Sequence, residues 1–206
     1  METNESTQPT SENQVLHFDA ENATCWVYTF KEGLLSAIAH DLKLRVEDFR
    51  IVVDLRQHSV HATFATDSLR VECARRGNVD DRTTLRAKDM LEIEKRTRTE
   101  VLHSARFPEA RFTATLDPDS RPVDAEGATR VVTGMLTLHG RTGPATATAV
   151  FRDGSWRAQA QIHQPDFGIR PYRAALGGLR VQAGIAVEVI LPHRQDGSGP
   201  RGPSRP

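Results

Sequence analysis

VTGMLTLHGRTGP, residues 132–144, reads as a strand, a tight polar turn and the start of a second strand. Val132, Gly134, Leu136 and Leu138 fall in one phase of a two-residue period, with Thr133 and Thr137 in the other, the pattern of a half-buried strand. The same period continues outward through Val60, Ala62 and Phe64, through Phe112, Ala114 and Leu116, and through Trp156, Ala158, Ala160 and Ile162. Its longest run is Leu179, Val181, Ala183, Ile185, Val187, Val189 and Leu191, alternating with Arg180, Gln182, Gly184, Ala186, Glu188 and Ile190. Residues 15–19, 24–30, 42–54 and 145–152 add further strands, and short turns such as 152–154 predict antiparallel neighbours. A meander of this size removes its edges by closing on itself. The expected fold is therefore mainly all-β, an eight-stranded antiparallel barrel.

Two segments break the period. Residues 85–104 carry Met90, Ile93, Thr97 and Val101 at helical spacing, with Leu91 and Leu102 widening the apolar arc. Glu92 with Arg96, and Glu94 with Arg98, add favourable i,i+4 pairs. This predicts an amphipathic helix lying over one open end of the barrel. A short helical element is expected near residues 33–40, GLLSAIAH.

The Gly-Met-Leu-Thr-Leu-His-Gly core of the opening stretch resembles the G-x-L-T-x-H-G hairpin of the YceI-like family, lipocalin-like barrels known as polyisoprenoid-binding proteins. Further segments resemble that family in its own order: AHDLKLRVEDF from Ala39, TDSLRV from Thr66, EVLHSARFPEARFTAT from Glu100 and QPDFGIRPYRAALGGLRV from Gln164. The chain is most similar to a subgroup with Ala-His-Asp after the first strand. The resemblance implies a lipocalin-like barrel that binds a hydrophobic chain, a homodimer and, for many relatives, a periplasmic location. This chain departs from that last point, because METNESTQPTSENQ has neither a basic n-region nor an apolar h-region. A cytoplasmic location is the expectation.

A chain of 206 residues fits one domain with tails. The expected divisions are a polar tail over residues 1–13, a barrel domain over 14–192, and a Gly/Pro/Arg-rich tail over 193–206. Neither tail has the apolar content to offset ordering entropy. Lys plus Arg and Asp plus Glu number 27 each, so no global field recruits nucleic acid. No run approaches the roughly 18 apolar residues of a membrane span, which leaves transient peripheral membrane contact. Leu34, Leu35 and Ile38 are candidates for it. Cys25 and Cys73 form no C-x-x-C motif and read as reduced structural thiols.

Little else resembles chemistry. His17, His61 and His163 alternate with the apolar set of their own strands and should face solvent, and His139 is out of phase with Leu138. No His/Cys cluster has metal-ligand spacing, so neither a metal nor a cofactor is expected. His40-Asp41 is the sharpest catalytic candidate, with Ser36 four residues earlier, but no nucleophile elbow accompanies it. The pair reads as structural, or as contacts for a ligand head. Asp166-Phe167-Gly168-Ile169 resembles a family turn, and Gly168 should permit positive φ or close backbone approach. Tyr172, between Arg170 and Arg173, could meet a polar headgroup.

Small residues occupy many inward positions: Ala62, Ala114, Gly134, Ala147, Ala149, Ala158, Ala160 and Ala183. An eight-stranded barrel either fills with side chains or holds one small ligand, and small residues favour the second. Expected lining residues are Phe30, Leu34 and Ile38 with His40 near the mouth, then Phe64 and Leu69, Phe112 and Leu136, and Ile162, Phe167, Ile169 and Tyr172. The leading expectation is a non-enzymatic protein that binds or carries an isoprenoid quinone, a polyprenyl chain or a fatty-acid-like lipid. The alternatives are an interaction or stress-response module with a packed interior, and an enzyme using His40 and Asp41.

Overall fold

The structure is a computed structural model that describes residues 15–32, 40–117, 125–173 and 180–193. Twelve strands form one antiparallel sheet among them: β1 (Val15–Asp19), β2 (Thr24–Lys31), β3 (Asp41–Val46), β4 (Phe49–Asp54), β5 (Ser59–Ala65), β6 (Leu69–Arg76), β7 (Val79–Asp81), β8 (Glu109–Thr115), β9 (Thr129–Leu138), β10 (Arg141–Arg152), β11 (Ser155–His163) and β12 (Val181–Pro192). Their order across the sheet is β1-β4-β5-β8-β9-β10-β11-β12-β2-β3-β6-β7.

The all-β class agrees with the sequence, and the strand count does not. The run expected over 42–54 divides into β3 and β4 at Glu47 and Asp48, and β6 and β7 add two strands not expected, although Leu69, Val71 and Cys73 of β6 alternate with Arg70 and Glu72. The Glu47 N–H donates to the Ser68 carbonyl (3.1 Å), the Asp48 N–H to Ser68 Oγ (3.1 Å), and the Ala65 N–H to the Asp48 carbonyl (3.0 Å). Both N–H groups and one carbonyl at the break thus gain partners, which favours a turn there without Gly or Pro.

Three short connections, residues 20–23, 47–48 and 66–68, each carry the chain between the β1-β4-β5 end of the sheet and the β2-β3-β6 end. The sheet must curl for links this short to span its two ends. The ladder does not close edge to edge among the described residues; side chains close it. Phe18, Phe49, Ile51 and Ala62 from one end pack with Ala23, Cys25 and Val46 from the other. Leu44, Cys25 and Cys73 are the largest fully buried side chains among the described residues.

The helix is shorter than expected. It comprises α1 (Ala87–Arg96) followed by one wider turn, Thr97–Val101, and Leu102 already lies outside it. Met90, Ile93, Thr97 and Val101 form its half-buried side, as their spacing required, whereas Leu91 is 65% exposed. Glu94 Oε1 accepts the Val71 N–H (2.8 Å), next to the irregularity where β3 and β6 shift register, and so ties the helix to the sheet. The element expected near 33–40, apart from His40, lies outside the described residues, as do the tails expected over 1–13 and, apart from His193, over 193–206.

Gly134 shows why the opening stretch needs a residue without a side chain. A Cβ there would stand 2.2 Å from the Thr113 carbonyl oxygen and 2.9 Å from Cζ of Phe112. Gly134→Ala should therefore destabilise the fold by the upper part of the roughly 1–3 kcal/mol that overpacking costs. Urea denaturation measures this; an unchanged midpoint would mean that β8 and β9 sit farther apart than described.

Candidate ligand-binding interior

The inner face of the curled sheet is built by parity. On β12, Ile185, Val187, Val189 and Leu191 share the inner phase, opposite Ile162, Ala160, Ala158 and Trp156 of β11. On the other side Ile185, Val187 and Val189 meet Thr29, Val27 and Cys25 of β2. Although β12 has a partner strand on each side, none of its residues is fully buried. Ala158 and Ala160 of β11, and Ala145 and Ala147 of β10, are likewise half-buried. Ala158 and Ala160 of β11 thus lie beside Val189 and Val187 of β12 on one face of the sheet, and all four stay partly accessible.

The small residues of the neighbouring strands do something else. Ala62, Ala114 and Ala149 are buried, and Gly134 receives the Phe112 ring and the β8 backbone. They serve close packing of β5, β8, β9 and β10 rather than open space.

Two apolar clusters border this interior. In the first, Phe64 stacks on Phe49 with ring centroids 6.0 Å apart, and Leu69 packs beside them. The second joins Leu136, Ile162, Phe167 and Ile169, with Val101 and Leu102 of the helical segment against them. Phe112 and Val187 touch both clusters. Seven of the expected lining residues are therefore brought together: Phe64, Leu69, Phe112, Leu136, Ile162, Phe167 and Ile169.

The others fall elsewhere. Phe30 shares its phase with Trp26 and Tyr28 and not with Val27, so parity places it on the outer face. Tyr172 is tied to the helix, its hydroxyl accepting a hydrogen bond from Arg96 Nη1 (2.6 Å). His40 is half-buried at the start of β3. Asp41 Oδ1 accepts the Lys31 N–H (2.8 Å), and no hydrogen bond joins Asp41 to the His40 ring. The aspartate thus satisfies backbone, as the structural reading of the pair required. Leu34 and Ile38 lie outside the described residues.

The segment over the second cluster is held by a buried side chain. Gln164 opens a short 3₁₀ turn, Gln164–Phe167, and its Nε2 donates to the carbonyls of Gln182 (3.0 Å) and Ala183 (3.4 Å) where β12 is irregular. Gly168 follows at φ 72°, the positive φ its place in the sequence called for. His17, His61 and His163 are exposed, and His163 pairs with Asp166 (2.9 Å). A histidine pair escaped the sequence reading: His103 Nδ1 lies 3.1 Å from His139 Nε2. The one signal for it was a Leu-His dipeptide at each place, since Leu102 and Leu138 both belong to the apolar cluster. Among the described residues no group of three or more His, Cys, Asp or Glu side chains could hold a metal ion, and no helix is long and apolar enough to cross a membrane.

A model of the YceI-like domain family matches residues 36–191 of the chain. Among solved structures, a polyisoprenoid binding domain from Saccharophagus degradans implicated in plant cell wall breakdown is similar at a TM-score of 0.56 and 12% identity, over 86% of this chain and 95% of that one. BcnA of Burkholderia cenocepacia is similar at a TM-score of 0.51 and 12% identity, over 84% of this chain and 96% of that one. At such identities the likeness is one of fold. No curated protein sequence matches the chain.

Cys25 and Cys73 are free and buried. Burial pushes the Cys25 thiol up to about 12, against an ordinary value of about 8.5. Between those values the unfolded chain loses this proton and the folded protein keeps it, so stability falls as pH rises through that window and is intact below it. Burial and the Glu188 hydrogen bond raise Tyr28 as well, with the same sign. Urea denaturation at pH 7.5 and pH 10 should show a smaller alkaline loss for Cys25→Ala than for the unaltered protein; equal losses would show that the thiol is accessible.

Proposed function

Because the chain belongs to the YceI-like family, we propose that it binds a hydrophobic chain, such as an isoprenoid quinone, a polyprenyl lipid or a fatty-acid-like lipid, inside the curled sheet and performs no chemistry on it. The observation that carries this is the inner face of β10, β11 and β12, where apolar side chains in the middle of the sheet stay half-accessible. The names of the two structural relatives point the same way in one case, as a polyisoprenoid binding domain.

Burial of each methylene-sized group contributes about 0.8 kcal/mol. A tail of ten or more carbons then gains about 8 kcal/mol, comparable with the roughly 4–15 kcal/mol cost of losing free translation and rotation. Apolar contact alone is thus marginal, and polar contacts at the mouth must supply the surplus. Phe112 and Val187, which touch both clusters, stand where a long chain would pass from one to the other.

Native mass spectrometry of gently purified protein, with organic extraction of what is released, should find close to one hydrophobic molecule per chain. Ala160→Trp, which places a ring opposite Val187, should lower uptake of an isoprenoid quinone or a fatty acid at least about tenfold while the folded state persists. An empty protein that takes up neither class would leave a packed interaction module instead.

A further inference from the structure

Resting on the chain-binding interior proposed above, we infer that the junction of the helical segment with the β9–β10 hairpin, where His103, Arg106, His139 and Arg141 meet, is a site for a phosphate-type anion. It takes the ionised headgroup of an amphiphile whose chain lies inside the sheet.

The site stands directly over apolar side chains. His103 follows Leu102 and His139 follows Leu138, and both leucines pack against the cluster of Leu136, Ile162, Phe167 and Ile169. The two histidines have φ of 47° and 51°, a left-handed conformation that side-chain-bearing residues adopt at a cost. That backbone brings their rings to a 3.1 Å nitrogen separation. The His139 ring lies 4.2 Å from the centroid of Phe107, and the Arg106 guanidinium lies 5.1 Å from the same centroid. Arg141 lies across Gly168, where a Cβ would come within 2.7 Å of its Nε. Gly168 thus admits the guanidinium to the lip formed by Phe167 and Ile169.

The charge is uncompensated. Among the described residues neither Arg106 nor Arg141 has a carboxylate at ion-pair distance. Glu109 pairs with Arg111, Glu92 with Arg96, and Asp166 with His163, while Glu100 of the helical segment is in no ion pair among the described residues. Burial holds His139 below the ordinary histidine value, and His103, Arg106 and Arg141 push it the same way, against the Phe167 carbonyl. Two planar forks and the second ring nitrogen of His103, which His139 orients, suit the several acceptor oxygens of a phosphate over an apolar wall. A neutral ring such as a quinone offers too few acceptors to use them.

Titration calorimetry with dodecyl phosphate, dodecanol and inorganic phosphate tests this on the full chain and on the Arg106→Gln/Arg141→Gln variant. Dodecyl phosphate should bind at least about tenfold more tightly than dodecanol, and the variant should lose that preference while holding dodecanol as before, which also reports that it is folded. Inorganic phosphate that binds alone, and is lost in the variant, assigns the same site to free phosphate; if dodecanol then fails to bind, the anion site stands and the apolar interior does not. Equal affinity for the two amphiphiles, untouched by the substitutions, overturns the anion site and leaves the interior intact. Failure of all three probes overturns both. His103→Gln serves as a second variant, expected to weaken dodecyl phosphate but not dodecanol.

Discussion

Ser68 holds the corner on which the curl depends. Its hydroxyl donates to the Ala65 carbonyl (2.8 Å) and accepts the Asp48 N–H, while its own carbonyl accepts the Glu47 N–H. Two connections, 47–48 and 66–68, are thereby fastened to each other, and each links opposite ends of the sheet. A serine with nearly all its surface buried is worth its desolvation only when its polar groups are met, as they are here. Without this corner the two ends of the sheet would stand apart, and Phe18 and Ile51 would have no reason to meet Cys25 and Val46.

From that corner the structure divides into a tight part and an open part. The strands next to it, β4, β5 and β8, are closed by Phe49, Phe64, Ala62 and Ala114, and Gly134 of β9 gives up its side chain to admit the Phe112 ring. Farther along the sheet, β11 places Ala158 and Ala160 opposite Val189 and Val187 of β12, and these four remain half-accessible. Alanine therefore has two meanings in one fold. It marks crowding where aromatic rings press on the neighbouring strand and room where the facing side chains are merely branched.

The alternation from Val181 to Leu191 was legible because parity alone decides which side of a sheet a residue faces, and the helix was legible because four residues of its half-buried side recur at helical spacing. The opening hairpin was legible as well, down to a glycine whose purpose only packing reveals. The division at Glu47 and Asp48 was not, since its stability comes from Ser68, some twenty residues on, and no local turn chemistry announces it. Phe30 was misplaced for a simpler reason: an aromatic residue suggests an interior, but its neighbours Trp26 and Tyr28 hold the outer face, where Lys43 and Arg75 cover them. The histidine pair depends on two left-handed residues 36 positions apart, and no periodicity connects them.

That pair explains how the helical segment and the hairpin share one end of the molecule. The helix reaches the sheet through Glu94 on β6, and its continuation drops Val101 and Leu102 onto the cluster of Leu136, Ile162, Phe167 and Ile169. The chain then returns to the sheet through Phe107, whose carbonyl accepts the Thr66 hydroxyl (2.7 Å), and Pro108, whose carbonyl accepts the Thr66 N–H (2.8 Å). Thr66 lies in the same 66–68 connection that Ser68 fastens. The corner that curls the sheet therefore also fixes where the helical segment ends, and the cationic residues over the apolar cluster inherit their position from it. A change at Ser68 or Thr66 would be felt at His103 and Arg106 through this short run of backbone, without any contact between the two sites.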